Sequence, residues 1–163
     1  MWSCDRRSVL AGIGVFGLAG CFRPMLAQDT AARGLLHRIE LPSVEGRFGY
    51  YLVRTLEDRL GAPQEPDLRL NIRTKLTEKG LAVAPDNAVT RISLLAEATW
   101  SVWRTGGAKP LISDVAFSQS GYNATTSLFA TRVTRLDIER RLAADLGGRI
   151  ARGIFARADE LAA

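Results

Sequence analysis

Hydrophobic and polar positions alternate along three stretches of this chain, and each stretch predicts a β-strand with one buried face. The three stretches are Leu68–Leu76, Arg91–Trp103 and Leu111–Ser120. In the second stretch Trp100 falls in the hydrophobic register and Trp103 in the opposite one. In the third we expect Val115 and Phe117 to point into the core. A Thr-Gly-Gly turn between the last two stretches predicts a hairpin.

Two other segments show the spacing of amphipathic helices. From Arg47 to Leu60 apolar residues recur along one stripe, and Gly61 with the prolines after it predicts the end of the helix. From Thr131 to Leu161 apolar residues recur every four positions. The Gly147-Gly148 pair inside this segment predicts either a kink or a close contact there. Ahead of both helices, Leu35–Val44 predicts a first strand that is closed by a proline.

The order of these elements is β-α-β-β-β-α, which predicts the α+β class. The economical arrangement is a four-stranded, mostly antiparallel sheet with two helices packed on one face. Residues 35–163 are long enough to form this single domain without disulfide bonds.

The first twenty residues have the pattern of a secretory signal peptide. Arg6 and Arg7 supply the basic start, and the uncharged run Ser8–Gly20 is shorter than the roughly 18 residues that a membrane-spanning helix needs. Leu18-Ala19-Gly20-Cys21 resembles the bacterial lipobox at all four positions, and in a lipobox the cysteine is acylated and becomes the new amino terminus. The alternative is an ordinary signal peptide with a cysteine near its cleavage site. The arginine pair also resembles a twin-arginine motif, so the Sec and twin-arginine export routes both stay open.

This pattern divides the chain into a lipoprotein signal peptide (1–20), a lipidated amino terminus with a polar tether (21–34) and the folded domain (35–163). Several acyl chains on Cys21, palmitate among them, would make membrane attachment stable, whereas a single chain holds only marginally. Phe22 stands where the inner-membrane retention signal of enteric bacteria has aspartate. The expected location is therefore the outer membrane, with the domain facing the periplasm.

Charge and rare residue types limit the possible chemistry. The chain carries 22 Lys+Arg and 17 Asp+Glu, a net charge of +5, and loss of the signal peptide with its one acid and two arginines leaves +4. Arginine recognises phosphate and carboxylate groups, and because export argues against nucleic acid, anionic lipid headgroups fit better. Cys4 leaves with the signal peptide and Cys21 is acylated, so neither a disulfide nor a thiolate metal site is expected. We expect no cofactor beyond the lipid on Cys21.

A catalytic site is a weaker interpretation. His37 is the only histidine, and Ser43 and Glu40 lie near it in the sequence, which suggests an anchored hydrolase. No Gly-x-Ser-x-Gly motif surrounds any serine, however, and a lone histidine is more often structural. Glu57 and Asp58 are adjacent on a helix and so point in different directions. We therefore expect a protein that is not an enzyme.

Cys21-Phe22-Arg23-Pro24-Met25-Leu26 resembles the start of mature LPS-assembly lipoproteins of the LptE family, which commonly begin Cys-Gly-Phe-Arg-Pro-Leu. Further similarities follow in the family's order. They are Ile39-Glu40-Leu41-Pro42, Thr90-Arg91, Ser120-Gly121-Tyr122-Asn123 and an Ala-rich and Arg-rich terminal helix. The one departure is the missing glycine between Cys21 and Phe22, which shortens the anchor by one residue.

The resemblance implies a non-enzymatic subunit of the lipopolysaccharide translocon. Such a subunit sits largely inside the lumen of a large outer-membrane β-barrel, LptD, helps to assemble it and helps to insert lipopolysaccharide into the outer leaflet. The rival hypothesis is a free-standing, periplasm-facing lipoprotein that binds ligands and has no barrel partner. A subunit of the first kind should need its partner for solubility, whereas the second should be a soluble monomer without its lipid.

Basic residues along the predicted sheet are the candidate site for lipopolysaccharide or another anion. Arg69, Arg73 and Lys75 share one face of a strand, where successive same-face residues lie about 6.6 to 6.8 Å apart. This spacing would let them meet separated phosphates of one lipid A headgroup. The residues expected to extend the row are Arg91, Arg104 and Lys109. The alternative is a solvated sheet face, with Glu97 neutralising one arginine, or a rim that contacts the barrel wall.

Overall fold

The computed structural model describes Leu26 and residues 30–83, 89–124 and 127–162. For residues 82, 83, 89 and 90 it describes the backbone only. Within these ranges the chain forms four strands and four helices. In chain order they are α1 (Ala31–Gly34), β1 (Ile39–Glu40), α2 (Gly46–Leu60), β2 (Leu68–Val83), β3 (Val89–Arg104), β4 (Pro110–Asn123), α3 (Leu128–Ala156) and α4 (Ala158–Ala162). The predicted α+β class and the predicted order of the main elements are confirmed. The short helix α1 was not predicted, and the terminal helix predicted as continuous is divided at Arg157 into α3 and α4.

The four strands form one sheet in the order β1-β2-β3-β4. Strand β1 is parallel to β2, and α2 connects the two, while β2, β3 and β4 form the expected antiparallel meander. The register places Ile72 opposite Trp100, and Trp100 opposite Asp114. Residues opposite each other across a sheet point to the same side, so this register decides which residues the helices cover.

The first strand is much shorter than the sequence predicts. Only Ile39–Glu40 is extended, where a strand over residues 35–44 was expected. The backbone of His37 has a φ of 65°, in the left-handed region, and this interrupts an extended chain. Leu35 therefore enters the core from a turn after α1. Ala32 of α1 is also buried, so the folded part includes residues 31–34, which we expected in the tether.

Two glycines, one just after helix α2 and one in its first turn, have different structural roles. Gly61 follows its last residue with a φ of 82°, and the Gly61 N–H donates to Glu57 O at 2.9 Å, which closes the helix as predicted. Near the start, Gly49 packs directly against the preceding loop. A Cβ on Gly49 would lie 2.2 Å from Val44 O, so only glycine permits this approach.

Helix α3 runs through the Gly147-Gly148 pair without interruption. Of the two alternatives that the sequence left open, the structure has the close contact. A Cβ on Gly147 would lie 3.2 Å from Leu52 O and 3.1 Å from the Thr55 Cβ, so α2 and α3 cross with their backbones close together. The helix ends at Ala156, and Arg157 separates α3 from α4.

Both long helices cover the same side of the sheet. The buried residues of β3 on this side include Leu94, Trp100 and Val102, as the alternation predicts. They pack with the α2 and α3 stripes, and Trp100 lies beneath Gly153, where a Cβ would be 2.8 Å from Trp100 Cζ2. Among the described residues, none of the helices is long and apolar enough to cross a bilayer.

Candidate functional site

Within the described residues, one face of the sheet is not covered by a helix. Arg73, Thr99 and Val115 lie side by side on β2, β3 and β4, in the register opposite to that of Trp100. We call this side of the sheet the open face. It holds most of the residues that the sequence singled out.

A groove of about 730 Å³ lies on the open face, bordered by the loop that follows β1. One wall is Trp103, whose indole Nε1–H donates to Ser101 Oγ at 2.8 Å and is thereby held in one orientation. The polar residues that line the groove are Ser43, Asn71, Arg73, Thr99, Ser101 and Ser113. Among the described residues, no acidic side chain lines it. The groove therefore offers hydroxyl and amide groups, one guanidinium and one aromatic surface.

The structure brings together the predicted row Arg69, Arg73 and Lys75 on the open face, since all three lie in one register of β2. Their charges are not equally available. Arg69 Nε lies 3.6 Å from Glu40 Oε2, and Lys75 lies directly across from Glu97 on β3. Arg73 faces Thr99 and lines the groove, so it is the cation of the row that is best placed to meet a ligand.

Two of the three residues that we expected to extend the row lie elsewhere. Arg91 pairs with Asn123 at the far end of the sheet, about 26 Å along β3 from the residue that faces Arg73. Arg104 pairs with the buried Leu68, so its Cβ is on the side of the sheet that the helices cover. Lys109 is exposed in the turn before β4 and directly precedes Pro110, which lines the groove. The structure therefore separates Arg91 and Arg104 from the β2 row.

Strand β4 reverses the expectation for Val115 and Phe117. Both side chains lie on the open face and are 51% and 64% exposed, so the expectation that they point inward was wrong. The register explains the difference, because Asp114 is paired with Trp100 and the even positions of β4 must face the helices. Ala116 is accordingly buried. The open face thus ends in a row of exposed apolar side chains on the edge strand.

A second exposed apolar surface lies at the far end of the sheet, where α3 begins. Leu128 and Phe129 are 86% and 79% exposed. An ion pair ties this part of α3 to β2, since Arg135 Nε lies 3.2 Å from Glu78 Oε2. Sequence reasoning missed this surface because it started the helix at residue 131, which left Leu128 and Phe129 in a loop.

Two aspartates fasten the carboxyl-terminal half of the helix layer to β4. Ser118 Oγ donates to Asp145 Oδ2 at 2.7 Å, and Arg149 Nε donates to the same oxygen at 2.8 Å. Burial acts to raise the pKa of Asp145, but these two hydrogen bonds outweigh it and the pKa lies below its usual value. The pKa of Asp114 is also lowered, by a hydrogen bond from the Val115 N–H and another from Arg157.

His37 has a structural role in this fold. The His37 Nδ1–H donates to Ala62 O at 2.8 Å, and the ring lies against Gly61, where a Cβ would be 2.5 Å from it. Its neighbour Arg38 donates from Nε to Asp67 Oδ1 at 2.9 Å, and a second bond joins the same two side chains. The hydrogen bond from Arg38 lowers the pKa of Asp67 despite some burial. Cys21, the predicted lipidation site, lies outside the described residues.

The fold is similar to solved structures of bacterial lipoproteins. A protein described as a lipoprotein from Caulobacter crescentus CB15 superposes with a TM-score of 0.62 at 19% identity, covering 79% of this chain and 96% of that one. The rare lipoprotein B from Shewanella oneidensis gives 0.61 at 12% identity, covering 77% and 97%. A minor lipoprotein from Acinetobacter baumannii gives 0.55 at 18% identity, covering 76% and 94%.

No protein-family model and no curated protein sequence matches this chain. The likeness to the solved structures is therefore one of fold, and nearly the whole length of each of those lipoproteins is covered by it.

Proposed function

We propose that this protein is a non-enzymatic, lipid-anchored subunit that occupies the lumen of an outer-membrane β-barrel of the LptD type. In this role it assists assembly of the barrel and insertion of lipopolysaccharide into the outer leaflet. The anchor would be Cys21, with the folded domain facing the periplasm and the barrel interior.

The observation that carries this proposal is the exposed apolar row on an uncovered sheet. Val115 and Phe117 are more than half exposed, on the face of the sheet opposite to the helices that the structure describes. Leu128 and Phe129 are exposed to an even greater extent at the far end. Contiguous exposed apolar surface of this kind marks an interaction site in soluble proteins. A partner that surrounds the sheet would cover both surfaces at once.

The dimensions of the sheet support a partner that surrounds it. Strands β2 and β3 contain 16 residues each, so they extend for roughly 50 Å. Four neighbouring strands span about 14 Å, and the helix layer adds about 10–12 Å. A slender unit of this size fits a wide barrel; barrels of about 22 strands have a lumen that needs a plug.

The lipopolysaccharide role rests on the basic row of the open face. Arg73 lines the groove without a carboxylate beside it there, and Arg69 and Lys75 flank it along β2. Charge-assisted bonds from arginine to phosphate are among the strong ones in proteins. We therefore assign Arg73 as the central contact for lipopolysaccharide phosphates. The lipoprotein names of the structural neighbours support a lipid-anchored role, and the resemblance to the LptE family favours lipopolysaccharide as the ligand.

Co-purification from the outer membrane tests the proposal. The tagged protein, isolated from detergent-solubilised outer membranes, should bring down a large β-barrel in equal amount, identified by mass spectrometry. A double variant, Val115→Ser with Phe117→Ser, should lose most of the barrel while folding normally, since both side chains are exposed. The matched control Gln64→Ser, in an exposed loop, should retain it. Recovery of the protein alone would contradict the proposal.

The open-face groove favours one second candidate, a free-standing lipoprotein that binds a polar ligand. The groove offers such a ligand the fixed indole of Trp103, several hydroxyl groups for hydrogen bonding and the charge of Arg73. This candidate predicts that the protein without its lipid is a soluble monomer at high concentration. The barrel subunit predicts self-association through its uncovered apolar row, so sedimentation of the unlipidated protein separates the two.

A further inference from the structure

The crossing of α2 and α3 places two arginines over one glycine. Gly148 is buried although it has no side chain. A Cβ at Gly148 would lie 3.5 Å from Arg152 Nη1 and 3.6 Å from Arg59 Cζ. Both distances are measured from the same Cβ position, so Arg152 Nη1 and Arg59 Cζ lie no more than about 7.1 Å apart. The guanidinium groups of Arg59 and Arg152 therefore converge above the bare helix backbone.

Neither guanidinium has a direct carboxylate partner in the described part of the chain. Within the described residues, Arg59 and Arg152 form no ion pair and no hydrogen bond, whereas Arg149 on the same helix is paired with Asp145. Asp145 feels the charge of Arg152, but its Oδ2 accepts from both Ser118 and Arg149, and among the described residues no hydrogen bond or ion pair joins it to Arg152. Like charges this close repel each other. An oxyanion bound between the two guanidinium groups would reduce this repulsion.

The surroundings indicate what an anion here could be attached to. Arg152, with Arg149 and Gly153, borders a groove of about 290 Å³. The groove extends to Val115 and Phe117 at the edge of β4, and Asp114, which is paired with Arg157, also lines it. The groove beside Arg152 therefore combines exposed apolar side chains with charged groups. Planar guanidinium forks match phosphate oxygens in pairs, which a single lysine cannot do.

We propose that Arg59 and Arg152, converging over Gly148, form a phosphate-binding site on the helix layer. The arginine pair lies on the helix layer, away from Arg73 and the open-face groove. Gly147 lets the helices approach, and Gly148 leaves the space in which both guanidinium groups meet. The glycine pair thus serves a binding site as well as the crossing. The phosphate belongs either to a small soluble molecule or to a lipid headgroup whose chains follow the groove to β4.

Side-chain NMR of the arginines tests the site directly. The ¹⁵N-labelled full-length protein in a non-ionic detergent is titrated with inorganic phosphate and, separately, with dihexanoyl phosphatidic acid. Chloride at matched ionic strength is the control. We expect the Nε–H resonances of Arg59 and Arg152 to shift together and to saturate with one dissociation constant. Saturation by both probes identifies a free-phosphate site, and saturation by the lipid alone identifies a headgroup site.

Substitutions decide whether the pair acts together. Arg59→Gln and Arg152→Gln should each weaken binding about tenfold or more, because each removes one charge-assisted fork. Arg47→Gln is the matched control, since Arg47 is exposed in the first turn of α2, about 18 Å from Arg59 along the helix. It should leave binding unchanged. Absence of a saturable shift with either probe, or an equal loss in Arg47→Gln, would overturn the proposal. The resonances of the arginines that remain in each variant also show that the variant is folded.

Discussion

Two glycines of α3 should respond in opposite ways to the same substitution. A Cβ added to Gly153 would lie 2.8 Å from Trp100 Cζ2 and 3.4 Å from Trp100 Cη2. Trp100 is only 2% exposed and cannot move aside without disturbing the core. A Cβ added to Gly148 meets only the ends of flexible arginine side chains, at ordinary contact distances of 3.5 Å or more.

The magnitude follows from two effects. Both substitutions by alanine gain about 0.8–1.0 kcal/mol, because alanine is the better helix former. Only Gly153→Ala also overpacks the core, which costs about 1–3 kcal/mol. We therefore expect Gly148→Ala to raise the free energy of unfolding by nearly 1 kcal/mol and Gly153→Ala to lower it by up to about 2 kcal/mol. The propensity gain cancels in the comparison, so the difference between the variants isolates the contact with Trp100.

Urea unfolding of both variants, followed by circular dichroism, measures this difference. Thermal unfolding should separate their midpoints by several degrees, since 1 kcal/mol shifts Tm by about 2–4 °C in a chain of this size. Equal stabilisation of the two variants would contradict this prediction, because it would mean that a Cβ at position 153 fits beside Trp100 without overpacking the core. Near-ultraviolet circular dichroism of Gly153→Ala should also change, while that of Gly148→Ala should not.

Three further predictions concern pH, a loop contact and the exposed row. The hydrogen bond from Arg38 lowers the pKa of Asp67 below its usual value of 3.8. The ionised carboxyl therefore stabilises the fold above that pH, and this contribution is lost as the pH falls through the folded pKa. In Asp67→Asn the urea midpoint should fall less between pH 6 and about pH 3 than in the wild type. Gly49→Ala should cost about 3 kcal/mol or more, because its Cβ would meet the backbone oxygen of Val44, and a large drop in Tm checks this. Phe117→Ser should change the free energy of unfolding by less than about 0.5 kcal/mol, and a larger loss in urea unfolding would show that this side chain is part of the core.

The sequence predicted the elements whose periodicity is long and regular. The alternation from Leu94 to Val102 identified the buried face of β3, and the helix stripe ending at Leu60 identified α2, with Gly61 as its end. These predictions succeeded because one face of each element meets the core and the other meets solvent. A four-stranded α+β fold follows from the order of such elements.

The predictions were wrong where the periodicity of the sequence does not determine which face of an element is buried. On β4 both registers contain apolar residues, and the larger ones, Val115 and Phe117, are outside because Trp100 fixes the pairing. The register of a strand depends on its neighbour, which local sequence does not contain. For the same reason, nothing in the sequence placed Arg91 away from Arg73, or brought Arg59 to Arg152 across the helix crossing.

Photo-crosslinking in intact cells tests the central claim most directly. A photoreactive amino acid placed at Phe117, on the exposed row of the open face, should form one dominant adduct after irradiation. Mass spectrometry should identify the partner in this adduct as a large outer-membrane β-barrel. An adduct with lipid alone, with another copy of this chain, or with no barrel at all would contradict the claim that the open face lies inside a barrel.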